Sequence, residues 1–372
     1  MTKAANRLQY PCIMINAFSP ATYHPWRGEF IQAMAIFGLA CSDHALLPAQ
    51  KQKKGVYVMN VIDFRFRPNT AETISGIQNS KMFKGLCEHI DFSKMKPQTV
   101  PEVVADLDRY NVVKAVITGR DCETTYGSKS NNDSVIEFVK AFPNKFIGFI
   151  GLDPHKGMNA IEEIKHAVND LGMRGAAVDP YLAQIYANDA KYYPIYSKCC
   201  ELDIPIVFTT GPATLVPNAI IDHVAPRYID IAARDFPELK IIISHGGYPW
   251  VNESIIVAER NRNVYIDLSE YEFSPMSEAY VQAANTMIAD KILYASAHPF
   301  VDFKKALETY QKLDFNPDVR QKIMHDNAAR LLGLQTAPAA ANAGAGYGQA
   351  PVQVSADLVG DIVREVMARM KN

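Results

Sequence analysis

Side chains able to bind anions or to move protons follow most of the short β-branched runs of this sequence, at the point where each run ends. His245 follows the run Lys240–Ser244 and precedes two glycines, an open backbone where an imidazole that titrates near neutrality can act as a general acid or base. Arg65 and Arg67 stay charged at any working pH and offer planar forks of donors to an anion. The other candidates at such positions are Arg120 and Asp179 for catalysis, and Tyr181, Thr209, Glu270 and His298 for substrate binding.

The spacing of the residues on strand one does not tell which of their side chains face the pocket. Residues i and i+2 of a strand share a face, so Arg65 and Arg67 project to one side and Phe64 and Phe66 to the other. Arginines buried under helices are costly unless paired, and Asp63, on the same face, is an available partner. The sequence does not decide whether the arginine pair or the phenylalanine pair faces the pocket.

Other candidate residues can also be explained by a purely structural role. His245 is also compatible with a core histidine that is hydrogen-bonded to backbone, and Arg120 with Asp179 matches an ion pair at the rim of a sheet. No Gly-x-Ser-x-Gly nucleophile motif and no P-loop occurs in the chain. Catalysis therefore depends on whether these polar groups converge on one open pocket.

From residue 60 onward, β-branched runs alternate with amphipathic stretches, a pattern typical of βαβ units and a parallel sheet. Eight such units favour a closed (β/α)8 TIM barrel, in which active sites lie at the carboxyl ends of the strands. Pro317–Leu332 is predicted as a closing helix, and residues 71–98 form an insertion after strand one that we interpret as a lid. The predicted strands are Val61–Phe66, Lys114–Thr118, Phe146–Leu152, Ala176–Asp179, Ile204–Thr209, Lys240–Ser244, Val264–Leu268 and Lys291–Ala295. The predicted helices between them are Val100–Tyr110, Asp133–Phe142, Met158–Leu171, Tyr192–Leu202, Asp222–Phe236, Val251–Arg260, Met276–Ala289 and Phe303–Leu313.

The strand ends resemble those of a known family over residues 60–333. The matching motifs are Ile62-Asp63 on strand one, Thr209-Thr210-Gly211 in place of His-Thr-Gly, Ser244-His245-Gly246-Gly247, and Asn327-Ala328-Ala329-Arg330-Leu331 in the last helix. The chain resembles the amidohydrolase-related TIM-barrel family, in its branch of aminocarboxymuconate-semialdehyde and resorcylate-type decarboxylases. The resemblance implies a hydrolase or decarboxylase in which the strand-six histidine is a general acid/base.

The same resemblance implies a divalent metal, held by His-x-His on strand one, His on strand five and Asp on strand eight. This chain has Phe64 and Phe66 at the first pair, Thr209 on strand five and Ala297 on strand eight. Phenylalanine and alanine cannot coordinate a metal, and a zinc site needs three or four protein ligands. His298, beside the lost aspartate, does not rebuild the set. We therefore predict no family-type metal and no other cofactor.

Two classes of function follow from these residues. The first is an enzyme that decarboxylates or hydrolyses a small carboxylate or carbonyl compound, with an arginine as anion anchor and His245 as the proton carrier. The alternative is a catalytically degenerate barrel that serves as a binding or scaffold protein. Loss of the four ligands favours the second class, and the retained histidine with new polar neighbours favours the first.

Composition narrows the partners. The 38 Lys and Arg residues are balanced by 40 Asp and Glu residues, a net charge of −2, which argues against a nucleic-acid partner. No stretch approaches 18 continuous apolar residues, so we expect no membrane partner. Six cysteines without a CxxC pair indicate reduced thiols and a cytoplasmic protein.

The first 58 residues fall outside the barrel pattern. They end in the basic run Lys51-Gln52-Lys53-Lys54-Gly55, shortly before Met59. Codons for Lys54-Gly55-Val56 can contain GGAG, a ribosome-binding sequence, a short distance upstream of Met59. Residues 1–58 are therefore either a translated leader in front of the true start or an N-terminal arm that packs on a barrel domain at 59–334. Mass spectrometry of the native protein distinguishes the two interpretations.

The last 38 residues divide into a linker and a helix. Residues 335–354 are rich in Ala, Gly and Pro and read as a flexible linker. Residues 355–372 place their apolar side chains at spacings of three and four, which predicts an amphipathic helix that needs a partner. This arrangement resembles the encapsulation peptides of bacterial microcompartment cargo enzymes and implies a shell-protein partner. The alternatives are docking on the chain's own barrel and an oligomerisation helix that forms a homo-oligomer.

Overall fold

Eight parallel strands in sequential order form the centre of the molecule. The computed structural model describes residues 59–216 and 218–334, so the predicted N-terminal extension, linker and tail helix lie outside the described residues. Each strand pairs in parallel with the next. The strands are β1 (Val61–Phe66), β2 (Val112–Thr118), β3 (Phe146–Gly151), β4 (Gly175–Val178), β5 (Ile206–Thr209), β6 (Ile241–Ser244), β7 (Val264–Asp267) and β8 (Ile292–Leu293).

The sheet closes on itself through the segment that follows β8. Phe64 N–H donates to the Tyr294 carbonyl at 2.9 Å, and Ala297 N–H donates to the Arg65 carbonyl at the same distance. Because backbone pairing moves from β7 to β1 at this point, β8 is shorter than the predicted Lys291–Ala295. The predicted (β/α)8 TIM barrel is confirmed.

Helices surround the sheet, and further short helices lie in the loops after the carboxyl ends of the strands. The predicted helix at Asp222–Phe236 begins later, at Pro226, because proline suits the first helical turn and Ile221–Val224 forms a separate 3-10 turn. Met276 has a φ of +71°, which keeps it outside the helix predicted from that residue. The helices are α1 (Ala71–Asn79), α2 (Lys84–His89), α3 (Val100–Arg109), α4 (Glu123–Tyr126), α5 (Asn132–Ala141), α6 (Met158–Asn169), α7 (Pro180–Ala183), α8 (Tyr193–Glu201), α9 (Pro226–Asp235), α10 (Val251–Arg260), α11 (Glu278–Thr286), α12 (Phe303–Lys312), α13 (Pro317–Gln321) and α14 (Asn327–Leu331).

The core has two layers, because alternate side chains of each strand face opposite ways. The outer layer lies between the strands and the surrounding helices. The inner layer fills the barrel and is closed at the amino-terminal end by α14, where the Asn327 amide donates to the Ile292 carbonyl at 2.8 Å. Burial of each large apolar side chain contributes about 1.5–3 kcal/mol. The inner layer includes Ile62, Phe64, Val116, Phe149, Ala177, Val207, Ile242 and Leu293.

The insertion after β1 covers the carboxyl ends of the strands. It consists of α1, α2 and two 3-10 turns, Lys81–Phe83 and Phe92–Lys94. Met82 is buried among apolar side chains of the loops after β2, β4 and β5, and Phe83 contacts Phe300 in the loop after β8 at 5.9 Å between ring centroids. Across the described ranges, no helix has the length and apolarity needed to span a membrane.

Candidate active site

The first strand carries one extra residue that changes the direction of its side chains. Asp63 pairs with Ala115 and Phe66 pairs with Ile117, so three steps along β1 match two steps along β2. A bulge of this kind bends the strand and breaks the alternation of its faces. Asp63 Oδ1 accepts the N–H of Arg65 at 3.1 Å inside the bulge.

This bulge separates the two phenylalanines and turns the intervening arginine inward. Phe64 stays in the barrel interior, edge-on to Phe149 with 5.7 Å between ring centroids. Arg65 is the next residue in the chain, and its Nη2 donates to Thr209 Oγ1 on β5 at 3.1 Å. Phe66 lies in the outer apolar layer. The pocket is therefore faced by arginine rather than by a pair of phenylalanines.

Arg67 and Arg120 complete a cluster of three buried cations. Arg67 Nη2 lies 3.5 Å from Thr118 Oγ1 at the end of β2. Arg120 binds Asp179 through two parallel hydrogen bonds, Nε to Oδ2 at 3.1 Å and Nη2 to Oδ1 at 3.0 Å. Burial and repulsion from Arg65 and Arg120 lower the pKa of Arg67 to about 9, which leaves it charged at neutral pH.

Part of this cluster has no protein acceptor. Nε and Nη1 of Arg65 are buried and have no hydrogen-bond partner among the described residues, and the same holds for the Tyr181 hydroxyl. A buried donor left without an acceptor costs about 1–3 kcal/mol, and more when it is charged. An anionic ligand that accepts from these groups relieves that cost, so the cluster is suited to a carboxylate or another oxyanion.

His245 is held in one tautomer beside the arginines. Its Nδ1 lies 2.9 Å from the Ser269 carbonyl, which only accepts, so Nδ1 carries the hydrogen and Nε2 the lone pair. Its backbone N–H and the Ser269 hydroxyl both donate to Asp267 Oδ1, at 3.1 and 2.5 Å. Burial, with the charges of Arg65 and Arg67, lowers the pKa of His245 well below its ordinary value. The imidazole is therefore a neutral base.

Glu270 lies beside His245 at the end of β7. Its Oε2 lies 3.6 Å from His245 Nδ1, and its backbone has a φ of +70°, an uncommon conformation for a residue other than glycine. Burial raises the pKa of Glu270 to about 7, although Arg65 and Arg67 favour the charged form. A carboxyl of this kind holds a proton in about half of the molecules at neutral pH, which suits proton transfer.

His298 is the one predicted site residue that lies outside the cluster. Its ring stacks on Phe66 with 4.7 Å between centroids and meets Phe303 of α12 edge-on at 5.5 Å. Its Nε2 lies 3.3 Å from Asn69 Oδ1, and burial lowers its pKa to about 4. The bulge turns Phe66 outward, and the ring stacked on it lies with it away from Arg65. The His298 carbonyl accepts the N–H of Arg67 at 2.9 Å, and its expected substrate contact stays a prediction.

The sequence reasoning did not select three buried polar residues near the site. Asp267 and Ser269 hold His245, and they precede Glu270 at the end of β7, so their place at a strand end was an available signal. Glu272 had no signal: it is 4% exposed, neither carboxylate oxygen has a described partner, and burial raises its pKa to about 8.

A cavity of about 400 Å³ opens beside two of the arginines. Arg67 and Arg120 form its inner wall, and Phe83 of the insertion and Phe138 of α5 line its sides. The guanidinium of Arg120 lies 5.1 Å from the centre of the Phe83 ring. The cavity combines an apolar wall with cationic groups, as expected of a small-molecule site. Arg65, His245 and Glu270 do not line this cavity, so the polar strand-end residues do not all converge on it.

A family model described as Amidohydrolase matches residues 82–334. The chain belongs to the amidohydrolase family. Among characterised members, it is 24% identical to a gamma-resorcylate decarboxylase of Polaromonas sp. over 248 residues, which cover 55% of this chain and 75% of that protein. It is 30% identical to a 2-keto-4-carboxy-3-hexenedioate hydratase of Sphingobium sp. over 240 residues, 54% of this chain and 69% of the hydratase.

Solved structures show the same fold. An uncharacterised TIM-barrel protein from Bordetella bronchiseptica aligns with a TM-score of 0.61 and 29% identity, over 74% of this chain and 99% of that one. A 5-carboxyvanillate decarboxylase from Novosphingobium aromaticivorans, complexed with manganese, aligns with a TM-score of 0.54 and 17% identity, over 74% and 96% of the two chains.

The residues of this amidohydrolase do not fit such a metal. The Phe64 ring is buried in the barrel core, and Thr209 Oγ1 already accepts from the Arg65 guanidinium. Ala297, at the strand-eight position, has no ligating atom in its side chain. Within the described part of the chain, no group of three or more His, Cys, Asp or Glu side chains is arranged to hold a metal ion. Phe64, Thr209 and Ala297 therefore do not supply the ligands that the family resemblance implies.

Proposed function

We propose that this amidohydrolase is a lyase that decarboxylates a small aromatic or conjugated carboxylate by proton transfer, without a family-type metal. One observation carries the proposal. A buried guanidinium with unmet donors, Arg65, lies in the same cluster as a neutral imidazole, His245, and a carboxyl that is protonated near pH 7, Glu270. These are the groups needed to bind a carboxylate, hold a hydroxyl proton and protonate carbon.

The reaction divides between these groups. The arginine cluster holds the substrate anion, and the His245 Nε2 lone pair takes the proton of an adjacent enol or phenol, which raises the electron density on carbon. Glu270 delivers its proton to the carbon that bears the carboxylate. The bond to the carboxylate then breaks, carbon dioxide leaves, and the electron pair of that bond returns to the conjugated system and re-forms the enolate or phenolate. His245 returns its proton to that oxygen, and one proton taken up from the solvent restores Glu270.

The named relatives support this chemistry and favour one second candidate. Gamma-resorcylate decarboxylase is a carboxy-lyase by name, whereas the relative with 30% identity is a hydratase. Addition of water to a carbon–carbon double bond uses the same pair, a neutral base for the water and a protonated acid for the carbon. The second candidate is therefore a hydro-lyase acting on an unsaturated carboxylate.

The test is turnover of a panel of aromatic and conjugated carboxylates that includes 2,6-dihydroxybenzoate, with release of carbon dioxide and loss of the double bond as readouts. We expect His245→Gln and Glu270→Gln each to lower kcat/KM by about 100-fold or more, since general acid–base catalysis contributes about 10²–10⁴-fold. Arg227→Gln is the matched control, because Arg227 lies in an exposed ion pair with Glu253. If the wild-type protein turns over no member of the panel, the degenerate scaffold replaces the proposal.

We also propose that residues 355–372 deliver the enzyme from the cytoplasm to a microcompartment shell. The support is the sequence alone, an apolar stripe at helical spacing after an Ala/Gly/Pro linker. Fusing residues 335–372 to a fluorescent protein and co-expressing it with shell proteins tests this. We expect fluorescence in shell particles, and its loss when Val359 and Ile362 are replaced by Asp. An even distribution of the intact fusion contradicts the proposal and leaves self-docking or homo-oligomerisation.

A further inference from the structure

We infer that the guanidinium of Arg65 takes the place of the divalent metal ion that the manganese-bound relative carries, as a fixed cation for a substrate oxyanion. The inference deepens the proposed function in its assignment of the anion site. As a statement about binding it can fail or succeed separately from turnover.

The position of Arg65 supports this assignment. Three of the strand-end positions at which the family resemblance implies metal ligands surround it. Phe64 is its neighbour in the chain, Thr209 Oγ1 accepts its Nη2 at 3.1 Å, and Ala297 N–H donates to its backbone carbonyl at 2.9 Å. The side chain of Arg65 thus reaches the end of β5, while its backbone pairs with the segment after β8.

The charge of Arg65 interacts with the Asp267 carboxylate, whose Oδ2 is buried without a described hydrogen-bond partner, but it is not consumed by an ion pair. No described carboxylate forms an ion pair with it. Asp179 is engaged by Arg120, and Asp267 Oδ1 accepts from the His245 and Ser269 backbones and the Ser269 hydroxyl. Because Arg65 is only 2% exposed, solvent screens its charge little. A second cation placed here meets repulsion, whereas an anion is attracted.

The free donors define the ligand class. Nε provides one N–H and Nη1 provides two, and all three lie in the plane of the guanidinium. Nε and Nη1 lie on different edges of the guanidinium, because the Nε–H points to the side of Nη2. An oxygen of a carboxylate, as in an ortho-hydroxybenzoate, therefore accepts from one of these edges at a time. Unlike a metal, a guanidinium is indifferent to chelators. The predicted signature is therefore binding of a hydroxy-carboxylate that requires Arg65 and no metal.

The experiment is calorimetric titration of the full-length protein with 2,6-dihydroxybenzoate, before and after dialysis against EDTA. We expect the wild-type Kd to be unchanged by EDTA and to be weakened tenfold or more in Arg65→Gln. Arg65→Lys should fall between them, because lysine keeps the charge and loses the fork. Arg227→Gln, an exposed arginine, is the matched control and should bind as the wild type does.

Thr209→Val guards against a misfolded Arg65 variant. It leaves the charge in place and removes the acceptor of Nη2, so it should weaken binding severalfold in a protein that is still folded, with a lowered thermal transition. The inference is overturned if EDTA abolishes binding and manganese restores it, if Arg65→Gln binds as tightly as the wild type, or if the wild type shows no binding at millimolar ligand. Binding without turnover would overturn the proposed function alone.

Discussion

Removing one partner of the Arg120–Asp179 pair should destabilise the protein severely. Both side chains are buried, with 8% and 3% of their surfaces exposed, and they share two hydrogen bonds of 3.1 and 3.0 Å. Asp179→Asn keeps the shape but leaves the Arg120 charge uncompensated. Breaking a buried pair in this way costs about 3–5 kcal/mol. The ring of Phe83, 5.1 Å from the guanidinium, offsets only part of that cost.

The assay is urea and thermal unfolding of Asp179→Asn, compared with the double variant Arg120→Met/Asp179→Leu. A loss of about 3–5 kcal/mol corresponds to a fall in Tm of roughly 10 °C for a domain of this size. The double variant removes both charges and fills the space with apolar groups, so its stability should return to within about 1–2 kcal/mol of the wild type. An Asp179→Asn protein that unfolds within about 1 kcal/mol of the wild type refutes the reasoning.

Activity of the double variant then separates the two interpretations of the pair. If Arg120 only ties the ends of β2 and β4 together, a stable double variant keeps its turnover. If Arg120 also presents charge to the cavity that it lines, the double variant is stable but binds substrate weakly. We expect the second result, seen as a raised KM in steady-state kinetics.

Three further outcomes are expected. First, kcat/KM should fall about tenfold per pH unit above pH 7, because the pKa of Glu270 is raised to about 7 and its protonated form is the proposed donor. A pH–rate profile that is flat from pH 6 to 9 contradicts this role. Second, Phe83→Ala should raise KM severalfold and leave kcat nearly unchanged, since the ring covers Arg120 at the cavity wall; a changed kcat with a constant KM argues against it. Third, Gly151→Ala should lower Tm strongly, because its Cβ would lie 2.3 Å from the Arg120 backbone nitrogen. Gly76→Ala is the control: its Cβ would meet nothing within 4 Å, so the variant should be neutral or stabilising by up to about 1 kcal/mol. Equal effects of the two variants in thermal unfolding refute the steric argument.

The barrel was predictable because its signals are local. Each strand is a short β-branched run between two amphipathic stretches, and the observed strands begin and end within about two residues of the prediction. The exceptions depend on neighbours distant in sequence. β8 stops at Leu293 because its continuation pairs with β1, and no local pattern marks that exchange of partners.

The polar residues at the strand ends could be named from the sequence, but their orientation could not. Parallel strands in a barrel bring their carboxyl ends together, so polar residues at those ends meet whatever their separation in sequence. The β1 bulge arises from pairing with β2 on one side and β8 on the other, and a period-two pattern cannot reveal it. This is why the orientation of Arg65 stayed open and why His298, stacked on Phe66, was expected in the pocket. Glu272 is buried only by tertiary packing, which its sequence neighbours do not indicate.

The barrel mouth is divided into two halves with different physical tasks. The ends of β1 and β2 carry the guanidiniums, which need rigid acceptors and no backbone strain. The ends of β6 and β7 carry the proposed proton-transfer pair, and there His245 and Glu270 adopt left-handed φ values of +64° and +70°. Such conformations cost about 1–3 kcal/mol each and persist only where the surroundings over-determine them. Asp267 provides that constraint through its bonds to the His245 and Ser269 backbones, so under the proposed mechanism it is a positioning residue rather than one that contacts substrate.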